Sequence, residues 1–104
     1  MNEEIKNYID KYPDGIKNMF CRIREILFDC CEAEEKLWAK LPSYYVGEKF
    51  VRLIPFKDHI NIEARAISEG MFNGYKLTPK GMLQIYLKDE IPVQALEKVF
   101  KETL

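Results

Sequence analysis

Residues 38–62 read WAKLPSYYVGEKFVRLIPFKDHINI. Extended runs follow one another here, separated by Leu41-Pro42, Gly47-Glu48 and Lys57-Asp58. Leu37 to Leu41 alternates, with Leu and Ala inward and Lys36, Trp38 and Lys40 outward; Pro42 then marks a bend or an edge position. Residues 43–46 continue the extended run. Gly47-Glu48-Lys49 is a turn, and residues 50–56 form a strand with Pro55 near its end. Lys57-Asp58 leaves only a two-residue connection, so residues 59–64 pair back antiparallel as a hairpin. Ile60, Ile62 and Ala64 share one face of that strand, and His59, Asn61 and Glu63 the other.

Working outward, the N-terminal side is helical. Ile5, Tyr8, Ile9 and Tyr12 recur at helical spacing, predicting a short helix over residues 3–11. Pro13-Asp14-Gly15 breaks it and starts a second, over 14–31. Its apolar stripe is Ile16, Met19, Phe20, Ile23, Ile26, Leu27 and Cys30, which the following strands must cover. On the C-terminal side, Ile67, Met71, Phe72 and Tyr75 predict a short helix over 66–73. Residues 76–81 (KLTPKG) read as a loop, and 82–87 as a further strand. Ile91-Pro92 opens a last helix with the stripe Val93, Leu96, Val99 and Phe100. Short connections demand an antiparallel sheet rather than a doubly wound one. The fold expected is a single α+β domain, residues 1–104: a two-layer sandwich with an antiparallel sheet of four to six strands. The N- and C-terminal helices cover one face.

Composition narrows the function classes. The net charge is −1 over 104 residues, so no basic field attracts nucleic acid. No stretch is long enough to span a bilayer. The three cysteines, two of them adjacent, make a poor disulfide framework, and the expected compartment is the cytoplasm. A Gly-rich phosphate loop, an H-x-x-H pair and a paired-Cys motif are all missing from the sequence. His59 lacks an acid partner at hydrogen-bond reach along its own strand, since Glu63 stands about 13 Å away by strand rise. The chain therefore reads as a non-enzyme.

Two groups of residues are candidate sites. The outward sheet face collects Trp38, Lys40, Tyr45, Arg52, His59, Asn61, Glu63, Gln84 and Tyr86. Aromatics with a few charged donors suit a protein partner or a small anionic ligand. Arg52 supplies a planar fork for a carboxylate or phosphate, and His59 changes charge near neutral pH. Phe50, Ile54 and Phe56 share this alternation, which points to a concave pocket or a homodimer contact, so monomer and homodimer both stand. The second group is the acidic run Asp29, Glu32, Glu34 and Glu35, a candidate hard-cation site or a solvated surface.

Trp38-x-x-Leu41-Pro42-x-Tyr44 resembles the W-x-M-P-x-Y signature of the YdhG-like family, small bacterial domains of unknown function. Phe56-Lys57-Asp58-His59-Ile60 is similar to that family's F-K-x-H-I. Gly74-Tyr75-Lys76 followed by Lys80-Gly81 is similar to its Y-K-x-S-K-G-T-I-x-F segment, and Ile91-Pro92 to the I-P opening its last helix. The chain departs from the pattern at Leu41 (usually Met), at Thr78-Pro79 (usually Ser) and at Ile62-Glu63-Ala64, where a Tyr-Pro pair is common. The resemblance implies helices packed on a curved antiparallel sheet and, for some members, a frataxin-like iron chaperone. Iron would then sit on Asp29, Glu32, Glu34 and Glu35, with Trp38 and its neighbours meeting a protein acceptor. The alternatives are a metal-free binding module using the sheet face, and a small enzyme using His59 and Arg52.

Overall fold

The helical stripes and the alternating strands come together in a computed structural model that describes residues 1–104. The elements are α1 (Glu3–Ile9), α2 (Asp14–Cys30), β1 (Glu34–Trp38), β2 (Leu41–Val46), β3 (Lys49–Pro55), β4 (His59–Ala64), β5 (Lys76–Leu77), β6 (Leu83–Tyr86) and α3 (Val93–Thr103). Six strands form one sheet in the order β1-β2-β3-β4-β6-β5, every pair antiparallel. The helices pack on one face, giving the expected α+β sandwich. No helix is long and apolar enough to cross a membrane.

The core is what the two periodicities require. α2 buries Ile16, Met19, Phe20, Ile23, Ile26 and Leu27, and α3 buries Leu96, Val99 and Phe100. They meet Tyr44, Val51, Leu53, Ile60, Ile62, Leu83 and Ile85 from the inward positions of the sheet. Each such side chain contributes about 1.5–3 kcal/mol by leaving water. The opposite face has no helix over it.

Three local expectations need correction. The first hairpin turns at Ala39-Lys40, not at Leu41-Pro42, so Trp38 ends β1 and Leu41 starts β2. Both turn residues adopt positive φ (49° and 66°), the conformation a two-residue hairpin demands. Neither is Gly, Asn or Asp, so the turn carries no sequence signal. Pro42 lies inside β2 opposite Leu37, while the ladder to β3 begins only at Ser43. Its missing N–H thus falls where β2 has no β3 partner.

The short helix expected over 66–73 is a series of turns. Gly70 and Gly74 sit at φ +85° and +87°, outside the helical range, and interrupt any run before it could nucleate. Phe72 is buried all the same, and Ile67 and Met71 are partly buried against the core. Finally, residues 76–81 are not all loop, because Lys76 and Leu77 add an edge strand to β6.

Glu34 and Glu35, read as the tail of an acidic cluster, are the first two residues of β1. They point to opposite faces. Glu35 points inward and joins three elements. Its carboxylate accepts from the Arg24 guanidinium of α2, with Nη2 to Oε1 at 3.0 Å, and from the Asn2 backbone N–H at 2.9 Å. Asn2 is also the N-cap of α1, its side chain accepting from the Glu4 N–H at 2.8 Å. Burial alone raises the carboxyl pKa of Glu35, but Arg24 and the Asn2 amide outweigh it and hold the pKa below the ordinary 4.5. Tyr44 lies fully buried alongside, edge-on to Phe28 at 5.6 Å. Burial, with the Glu35 charge, drives its phenol above the usual range.

Candidate functional site: the uncovered sheet face

The register places Trp38, Tyr45, Arg52, His59, Asn61, Glu63, Gln84 and Tyr86 on the face without helices. Lys40 does not join them: it is a turn residue, displaced from strand geometry by its positive φ. The other outward candidates divide into two clusters.

The first centres on Arg52. Its guanidinium carbon lies 4.1 Å from the centre of the Trp38 ring and 3.9 Å from that of Phe50. Nη1 donates to Glu63 Oε1 at 3.1 Å, and Nη2 donates to the Tyr45 hydroxyl at 3.5 Å. Trp38 does not face Arg52 in register, since Arg52 is opposite Ser43 on one side and Glu63 on the other. The indole reaches it diagonally, across Ser43. That residue is fully buried, and its hydroxyl donates to the Leu41 carbonyl at 3.0 Å. A larger side chain there would lift Trp38 off the cation.

An arginine cannot lose its charge, so burial must be compensated. Here one carboxylate and the negative faces of two rings compensate it, each ring contributing about 0.5–2 kcal/mol. Arg52 is only 9% exposed and its Nε–H has no partner. Asn61, one row along, is 8% exposed, and its Oδ1 is likewise unpartnered. Trp38 is the opposite case: it is 51% exposed while one ring face is held on Arg52. Beside it, Lys36 lies over the Tyr45 ring at 4.6 Å and pairs with Glu34 at 3.3 Å.

The second cluster is a three-ring stack. Phe56 and His59 lie parallel with centroids 4.5 Å apart, and His59 stacks on Tyr86 at 4.6 Å. Nδ1 of His59 is 2.7 Å from Asp58 Oδ1. Lys76 approaches the far ring, Nζ to the Tyr86 centroid at 5.5 Å. Asp58 is the acid partner that reading along the strand missed, because it belongs to the turn before His59. The contacts of His59 are thus a carboxylate and two rings, with no serine or cysteine among them. The carboxylate and the two rings orient the imidazole.

The acidic candidates do not converge. Glu34 faces the uncovered side, whereas Glu35 faces the core with its carboxylate already bonded to Arg24 and Asn2. No group of three or more His, Cys, Asp or Glu side chains is arranged to hold a metal ion. Asp29, Glu32, Glu34 and Glu35 therefore form no preassembled site. The cysteines are all free thiols. Cys30 and Cys31 bring their sulfurs to 3.6 Å at the end of α2, and burial with the neighbouring thiol pushes Cys30 up to about 11.

Comparisons with protein-family models, with curated proteins and with solved structures found no match to this chain.

Proposed function

We propose that this protein is a non-enzymatic binding module, acting in the cytoplasm, whose uncovered sheet face docks a protein partner through Trp38. One observation carries the reading: a half-exposed indole is held in place on a buried arginine. Trp, Tyr and Arg are the residues that dominate binding energy at protein interfaces. A pre-positioned Trp loses little rotamer freedom on contact, which lowers the entropic cost of association. Phe56, 41% exposed at the other cluster, extends the apolar surface. A small anionic ligand fits this face less well, because the Arg52 donors point to Glu63 and Tyr45 and its free Nε–H is buried.

The YdhG-like resemblance stands beside this as a proposal about ancestry, and the fold it implies is compatible with the sandwich described above. Iron carriage, its functional corollary, has no comparable support, because Glu34 and Glu35 face opposite sides of the sheet and no three of the four carboxylates are grouped to hold a metal ion.

The test places a photo-crosslinking residue at Leu41, the register partner of Trp38, and in a control at Lys11, in the cells that make the protein. Discrete adducts from Leu41 alone, lost on Trp38→Ala, support the reading; a self-adduct names a second copy as the occupant. Equal labelling from both positions removes the face from consideration.

A further inference from the structure

A cleft of about 530 Å³ opens at the end of the sheet away from His59. It lies between the β2–β3 turn, the end of β4, the 80–82 segment and the end of α3. Its volume is within the range of small-molecule sites. Phe50, Ile67 and Met82 give it an apolar lining.

Its charge is what singles it out. Lys49, Arg65 and Lys80 stand around it with Glu48 and Glu63. Glu63 is engaged by Arg52. None of the three cations forms an ion pair with a carboxylate. Arg65 donates only to the Glu102 backbone carbonyl, at 3.1 Å. Three unpaired cations thus face one unpaired carboxylate, Glu48, in a chain whose overall charge is −1.

The walls are also fixed. Thr78 N–H donates to the Met82 carbonyl and Gly81 N–H to the Thr78 carbonyl, both at 2.8 Å. Met82 N–H donates to the Thr78 hydroxyl at 3.0 Å. These bonds hold the turn that carries Lys80. The Ala66 N–H donates to Thr103 Oγ1 at 3.1 Å, tying the end of β4 to α3.

We propose that this cleft binds a small organic anion with an apolar body. The body packs on Phe50, Ile67 and Met82, and the anionic group faces Lys49, Arg65 and Lys80. The cleft shares Phe50 and Glu63 with the Arg52 cluster, but the proposal does not require Trp38 to dock a partner.

The probe is 8-anilinonaphthalene-1-sulfonate, titrated by fluorescence into the folded chain, with decanoate and inorganic phosphate as competitors. The expected result is one saturable site, displaced by decanoate and not by phosphate. Lys49→Glu with Lys80→Glu should weaken it at least tenfold. Lys80→Met, which keeps the stem, should weaken it by a smaller factor. Lys11→Glu, a single charge reversal on another surface, should leave it unchanged. Thermal melts confirm that the variants are folded. Absence of saturable binding, indifference to charge reversal in the cleft, or displacement by phosphate alone overturns the proposal.

Discussion

Arg24–Glu35 and Arg52–Glu63 are both guanidinium–carboxylate pairs eleven residues apart in sequence, on opposite faces of one sheet. In the first, the carboxylate is the buried partner: the Glu35 side chain is 7% exposed, with hydrogen bonds from α2 and from the N-cap of α1. In the second, the guanidinium is buried and the carboxylate is 39% exposed. Glu35 has its acceptor capacity taken up by its own fold, so its pair joins helices to sheet. Arg52 is stabilised chiefly by rings, and the outermost ring, Trp38, keeps a face for something else. The same two residue types therefore tie helices to the sheet on one side and support a half-exposed indole on the other.

The sharpest way to break this contrast is Glu35→Gln. Removing one partner of a buried pair costs about 3–5 kcal/mol, and because Arg24 keeps some solvent we expect the lower end, read from the urea midpoint. The same variant changes the acid limb. The folded pKa of Glu35 lies below the unfolded value, so its stabilisation is complete above about pH 4.5 and disappears as the pH falls through the lower folded value. Glu35→Gln should flatten the loss of stability with acid in that window. An unchanged acid limb would mean that the pair does not hold the helices.

Arg52→Met comes next. It keeps an apolar stem between the rings but removes the cation, at a cost of about 1–2 kcal/mol. Trp38 is the only tryptophan, so its fluorescence reports the stack directly. Acrylamide quenching should rise as the indole loses its support; quenching like that of the unaltered chain would count against a held Trp38. Glu63→Gln tests the exposed half of the same pair and should cost less than about 1 kcal/mol. A loss as large as that of Glu35→Gln would erase the distinction between the two pairs. The smallest effect expected is that of Lys40→Gly, which relieves a positive φ in the turn that carries Trp38. A gain of about 0.5–1 kcal/mol with unchanged Trp38 emission would show that the turn bears the strain without setting the ring position.

Much of this was legible beforehand where one residue determines its own environment. The α2 and α3 stripes and the alternation of β3 and β4 are local periodicities, and each side chain faces where its spacing sends it. Lys40 was misplaced because the turn at Ala39-Lys40 uses residues with no turn preference. The helix over 66–73 failed because four apolar side chains at roughly helical spacing do not outweigh two glycines at positive φ. The acidic run misled because adjacent strand residues face opposite ways, which cannot be seen until Glu34 is known to be in a strand.

The sequence by itself determined the fold class, the buried faces of the two longer helices and the membership of nearly all of the outward sheet face. Tertiary structure alone decided what those residues do to one another. Trp38 reaches Arg52 across a buried serine, His59 finds its carboxylate in a turn, and Lys49, Arg65 and Lys80 gather around one cleft from three separate segments. The reason is physical: burial follows from local pattern, whereas contacts between side chains depend on register and curvature, which the sheet acquires only when its strands are assembled against the helices.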